Sequence, residues 1–265
     1  MNVHSSLNRA NTTHHLRPET VGITRSFSPR RGSLGVTRSV KRRPQRRETT
    51  ERSMRNQGVW LDAHEQDRLL RRRSLEEAKQ GNYPLAVEGL SVLIDRNPEN
   101  ATDYNNRGLV QFQWGEREAA LEDYNRAIQL NPKLANAYNN RANYYAIQGQ
   151  LAEAIADYEM AIDLDPTNVR AWLNQGITFR DLEMYSQAIE NFEQALHISE
   201  LLTRTSEDAC VLDAHIYAAR GRTHHIIGDW NYAIADYNRA LDCLSERASE
   251  RLYTQVTRWI EALKG

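Results

Sequence analysis

Apolar and small residues return along this chain on a beat of 34 residues. Small residues hold one phase at Ser74, Gly108, Ala142, Gly176 and Gly221, and alanines follow twelve residues later at Ala86, Ala120, Ala154, Ala188 and Ala233. With each unit numbered 1 to 34 from Asp67, Ala101, Ala135, Val169 and Ala214, position 4 is large (Leu70, Tyr104, Tyr138, Trp172, Tyr217). Position 24 is large as well (Leu90, Tyr124, Tyr158, Phe192, Tyr237). These steps of three and four residues predict helices. Glycine at position 15 (Gly81, Gly115, Gly149, Gly228) predicts a turn inside each unit, where a left-handed backbone suits glycine. Pro98, Pro132 and Pro166 at position 32 close three units, because proline cannot continue the helix before it. Each unit therefore reads as two antiparallel helices crossing closely at positions 8 and 20, with bulk from positions 4, 11, 24 and 28 beside the crossing.

One such pair leaves a face of each helix wet, so neighbours must stack to close a continuous core. The spacing resembles the tetratricopeptide repeat family over about 67–247, in five repeats. The resemblance implies an all-α fold: a right-handed superhelical solenoid of antiparallel helix pairs, which binds partners and does not catalyse. The departures are informative. Glu77 at position 11 and Leu93 at position 27 mark the first repeat as a divergent end; repeat four has Glu183 at the turn and Glu200 in place of proline. An insertion, Thr203 to Asp213, follows. The helix ending repeat four can run on through Leu201 and Leu202, and Thr205 to Asp208 offer capping groups for a new start. A lengthened helical connection and a change of solenoid pitch are expected there. Leu252, Val256, Trp259, Ile260 and Leu263 form one apolar stripe, predicting an amphipathic helix over about 248–264 that caps the array; a partner-binding helix is the alternative.

Charge divides the 265-residue chain, whose net charge is only −1. Residues 1–60 hold 13 Lys and Arg against 3 Asp and Glu, a net +10; the rest holds 21 against 32, a net −11. Residues 1–57 are polar and aperiodic, so a disordered basic tail is expected ahead of a solenoid over 58–264. Its densest cluster is Lys41, Arg42, Arg43, Arg46 and Arg47. Three readings stand: a solvated tail, electrostatic contact with nucleic acid or anionic membrane, and a targeting segment. No aromatic residue interleaves the cluster, so nucleic-acid contact would be with phosphates. The N-terminus lacks the apolar core of a secretory signal, and no run approaches the ~20 apolar residues of a membrane span. Cys210 and Cys243 form no metal-ligand spacing and no disulfide framework; both are expected reduced and at least partly buried. A cytoplasmic location follows, with plastid or nucleus the alternatives if the tail is an address.

By the resemblance, the first helix of each pair lines the concave face through positions 2, 5, 6, 9, 12 and 13. Those positions place Arg68, Arg71, Arg72 and Lys79 in repeat one; Asn106, Leu109 and Phe112 in repeat two; and Asn139, Asn140 and Asn143 in repeat three. They place Arg170, Asn174, Ile177 and Arg180 in repeat four and Arg222 in repeat five. Seven of the residues at these positions are Lys or Arg and one is an acid, so the groove is expected to attract acidic segments. Asn106, Asn140 and Asn174 recur at 34-residue steps. A carboxamide carries donor and acceptor together, and a row of them can bond an extended backbone whatever its side chains; this resembles the asparagine ladders of other helical-repeat peptide binders. Leu75, Leu109, Phe112 and Ile177 are candidate apolar anchors. The carboxylate clamp of chaperone-tail binders is incomplete: Asn143 and Asn174 match, but Asn139 stands where a lysine is required. Arginines at position 7 (Arg107, Arg141, Arg220) and aspartates at position 23 (Asp123, Asp157, Asp236) are expected to pair within each repeat.

No phosphate loop, nucleophile elbow or helical metal motif appears, and His224 and His225 diverge by about 100° on a helix. The sequence thus predicts no catalytic residues, no metal, no cofactor and no small-molecule substrate. It predicts a protein-interaction scaffold or assembly adaptor binding an extended, acidic-leaning peptide. One alternative is a recruitment factor whose tail binds nucleic acid or anionic membrane. The other is an organelle (photosystem-type) assembly factor with a cleaved transit peptide.

Overall fold

The structure is a computed structural model, and it describes residues 62–202, 207–244 and 250–264. The expected basic tail, with its cluster at 41–47, lies outside them. Eleven helices and no strand are present among the described residues. They are α1 (Ala63–Lys79), α2 (Tyr83–Arg96), α3 (Ala101–Trp114), α4 (Arg117–Leu130), α5 (Ala135–Ile147) and α6 (Leu151–Leu164). The series continues with α7 (Val169–Asp181), α8 (Tyr185–Leu201), α9 (Glu207–Ile227), α10 (Trp230–Cys243) and α11 (Glu250–Lys264).

The helices pack as five pairs, α1 with α2 through α9 with α10, and each second helix packs on the first helix of the next pair. The reason for the small residue at position 8 is visible at the crossing. A Cβ added to Gly108 would stand 2.8 Å from the Tyr124 ring, one on Gly176 2.6 Å from Phe192, and one on Gly221 2.9 Å from Tyr237. The ring at position 24 fills the space that a side chain at position 8 would need, and those rings are fully buried. The alanines at position 20 are buried to the same degree.

All five inner turns share one closing bond, from the amide at position 16 to the carbonyl five residues back. Asn82 to Glu77, Glu116 to Gln111, Gln150 to Tyr145 and Met184 to Phe179 are 2.9 Å each, and Asp229 to His224 is 2.8 Å. That turn requires a left-handed residue at position 15. Four repeats supply glycine; in repeat four Glu183 is forced to φ 61°.

α9 begins at Glu207, inside the insertion, and is 21 residues long. α11 lays Leu252, Val256 and Ile260 against the α9–α10 core, with Trp259 and Leu263 at its margin. Among the described residues no helix is long and apolar enough to cross a membrane.

Candidate binding face

The first helices of successive pairs also touch one another: α1 with α3, α3 with α5, α5 with α7 and α7 with α9. The second helices make no comparable contact with each other. The row of first helices therefore follows the shorter path and forms the concave side, continuous from α1 to α9.

The residues at position 7 fasten this row to the second helices. Arg107 makes two hydrogen bonds of 2.8 Å to Asp123, Arg141 bonds of 2.7 and 2.8 Å to Asp157, and Arg220 bonds of 2.7 and 2.8 Å to Asp236. The hydrogen bond to each aspartate raises each arginine's pKa, against the opposing effect of burial. The same arginines reach back one repeat, to Ser91, to Asn125 and to Glu193. Repeat four replaces the ion pair by a neutral one, Asn191 donating to Gln175 at 2.7 Å, with both amides buried. These charges hold helix to helix, and planar two-point pairing of this kind fixes geometry as well as energy.

Position 5 does not face the groove, contrary to the expectation. Asn105, Asn139, Leu173 and Ala218 are all buried there. Arg71 turns to the next repeat and binds Asp103, which is 1% exposed, with Nη2 to Oδ2 at 2.8 Å. The reason is helix contact: position 5 meets the first helix of the following repeat, so its side chain serves the stack.

The asparagine ladder is real as a row but is already partly bonded. Asn140 donates to Asn105 at 2.9 Å, and Asn174 donates to Asn143 at 3.0 Å. Asn143 also accepts the Tyr158 hydroxyl at 2.7 Å. Asn106 makes no side-chain hydrogen bond among the described residues. All three ladder residues and Asn143 are half-buried. Asn140 and Asn174 are thus each held by an asparagine of the preceding repeat, and all three ladder amides keep unused donor or acceptor capacity.

The basic lining is less positive than its residue count. Arg68 lies 3.6 Å from Glu65, Lys79 3.5 Å from Glu76, and Arg180 3.0 Å from Asp181. Arg71 is neutralised by Asp103. Arg72 has no carboxylate partner among the described residues, nor has Arg222, which lies over the Trp259 ring at 5.5 Å. Arg170 is exposed, and Leu75, Leu109, Phe112 and Ile177 are half-buried on the same side. At the α9 end, His224 stacks on Tyr232, and His225 lies against Trp230 with Nδ1 3.3 Å from the Tyr237 hydroxyl. No group of three or more metal-ligating side chains occurs among the described residues. Cys210 is exposed, not partly buried as expected, because the early start of α9 places it in an outer turn; Cys243 is half-buried.

Residues 101–134 and 135–168 match one family model described as tetratricopeptide repeat, and residues 169–200 match a second with the same description. The chain is a tetratricopeptide repeat protein. No curated protein matches it. Among solved structures it is similar to a thermophilic tetratricopeptide repeat protein of Thermus thermophilus. The two are 18% identical with a TM-score of 0.58, over 74% of this chain and 98% of that one. MamA from Desulfovibrio magneticus RS-1 is 15% identical with a TM-score of 0.53, over 67% and 94%. Another MamA crystal structure is 18% identical with a TM-score of 0.52, over 64% and 93%. At these identities the likeness shows the fold. A tetratricopeptide array is a protein-interaction scaffold, and the concave row of first helices is its candidate binding face.

Proposed function

We propose that this protein is a non-enzymatic adaptor that holds an extended segment of a partner protein along its row of first helices. The observation that carries this reading is the amide row. Asn106, Asn140 and Asn174 stand on three consecutive first helices, half-buried, two of them held by a neighbouring asparagine. Ordered amides have lost part of their rotamer freedom before a ligand arrives, so bonding to a peptide backbone costs less entropy. Leu109, Phe112 and Ile177 flank the row and offer apolar contact for partner side chains.

A preference for acidic segments is the finer part of the proposal. It rests on Arg72 and Arg222, because Arg68, Arg71, Lys79 and Arg180 carry carboxylates of their own. The preference is accordingly modest and concentrated toward the two ends of the row. The reading is tested by capturing partners from native extract on wild type and on a triple Asn106→Ala, Asn140→Ala, Asn174→Ala variant shown to fold by circular dichroism. Capture should fall at least tenfold, and the wild-type complex should weaken with salt. Undiminished capture by the folded triple variant removes the amide mechanism.

A further inference from the structure

The chain has two cysteines, and the fold brings them together from 33 residues apart. α9 and α10 run antiparallel, in a register fixed by the Arg220–Asp236 pair and by Arg239 over the Tyr217 ring at 5.8 Å. Cys210 lies seven residues before Tyr217, on the same face of α9, and Cys243 lies four residues after Arg239, on the same face of α10. Continuing that register toward the start of α9 and the end of α10 sets Cys243 opposite Asp213, one helical turn from Cys210 on the same side of α9. Cys243 and Tyr217 both pack at the margin of the α9–α10–α11 core, and Cys210 is close enough to act on the Cys243 thiol. Cys210 is open to solvent.

We propose that Cys210 and Cys243 are a reversible redox cross-link, which locks the entry of the fifth helix pair to its exit. A hydroperoxide is the oxidant class. Cys210 is attacked first because it is exposed: its sulfur takes one peroxide oxygen to become a sulfenic acid, and one water leaves. The Cys243 sulfur then attacks that sulfur, the disulfide bond forms, and the hydroxyl departs with the Cys243 proton as a second water. Two thiols are oxidised by two electrons while one peroxide is reduced to two waters. Burial, and then the neighbouring Cys210, push the Cys243 thiol up to about 12. The closing step is therefore slow near neutrality and gains speed with pH. Closure joins residues on either side of the fifth pair and adds no partner, so this inference stands apart from the peptide-binding proposal.

The test uses the full chain, reduced, then treated with hydrogen peroxide at neutral and at mildly alkaline pH, with mass spectrometry under non-reducing conditions. The intact monomer should lose about 2 Da, and its titratable thiols should fall from two to none. Trypsin should release residues 205–220 joined to residues 240–247, and dithiothreitol should reverse all three. Thermal melts of the oxidised chain should rise by about 5 °C or more, because the cross-link restricts the unfolded chain. Neither Cys210→Ser nor Cys243→Ser should show the joined peptide or the rise. Thiols that stay free at a peroxide dose that consumes glutathione would overturn the proposal, as would disulfides formed only between chains. A closed monomer with an unchanged melting midpoint would overturn the locking role.

Discussion

Two buried tyrosines at the same repeat position should respond to the same substitution with opposite signs. Tyr124 and Tyr158 both fill position 24, and both rings are buried, at 0% and 1% exposure. Position 9, whose residue meets the Tyr158 hydroxyl, differs between the two repeats. In repeat three that residue is Asn143, whose carbonyl oxygen accepts the Tyr158 hydroxyl at 2.7 Å. In repeat two it is Leu109, and the Tyr124 hydroxyl has no hydrogen-bond partner among the described residues. Burial, and then to a smaller extent Asp123, pushes the Tyr124 phenol well above its ordinary value. A buried hydroxyl without a partner costs about 1–3 kcal/mol, while a satisfied one contributes about 0.5–1.5 kcal/mol net. Tyr124→Phe removes the cost and leaves the ring; it should stabilise the array by about 1 kcal/mol. Tyr158→Phe removes a bond and frees one lone pair of Asn143, which keeps Asn174 as donor at 3.0 Å; it should destabilise by about 1 kcal/mol. For a domain of this size each shift is about 2–4 °C in thermal midpoint, of opposite sign. Urea unfolding followed by circular dichroism, at equal m-value, measures both. If Tyr124→Phe destabilises as much as Tyr158→Phe, the position-9 argument is wrong.

The backbone and the ion pairs give further tests. Glu183→Gly should stabilise by about 0.5–1 kcal/mol, since a left-handed L-residue is strained by about 1–2 kcal/mol and glycine returns part of that as entropy of the unfolded chain; a lower urea midpoint would refute it. Gly176→Ala should destabilise by about 1–3 kcal/mol, because its Cβ would meet Phe192 at 2.6 Å; an unchanged melt would show that the crossing is looser than described. Asp103→Ala leaves Arg71 half-buried without its partner and should cost about 3–5 kcal/mol, whereas Glu76→Ala, at the exposed pair with Lys79, should cost less than about 1 kcal/mol. The raised pKa keeps Cys243 as the neutral thiol through the neutral range. Its alkylation by iodoacetamide should therefore rise about tenfold per pH unit toward about 12, and a rate already flat by pH 9 would contradict this.

The repeat was legible because stacking imposes the same demand five times. Position 8 must be small for the ring at position 24, and position 15 must be left-handed; both leave a mark at one phase. The pairing of Arg107, Arg141 and Arg220 was legible for the same reason, since its partners recur 16 residues on. The burial of position 5 was not, because Asn105 and Asn139 are polar residues that meet the next repeat, and polarity along the sequence reads as solvent. The charge of the groove was overstated for a related reason. Glu65 and Glu76 sit three residues from Arg68 and Lys79 on neighbouring faces, outside the positions counted. The thiol pair left no signal at all: Cys210 and Cys243 meet only because the insertion extends α9 by two turns beyond the repeat.

Site-specific photo-cross-linking tests most directly which face holds the partner. A photoreactive residue is placed at Phe112 or Ile177 on the first-helix row, or at Met160, exposed on the second helix α6, and irradiated in native extract. Partner adducts should form from Phe112 and Ile177 and be absent from Met160. Adducts from Met160 with none from the first-helix positions would place the partner on the outer surface and contradict the account.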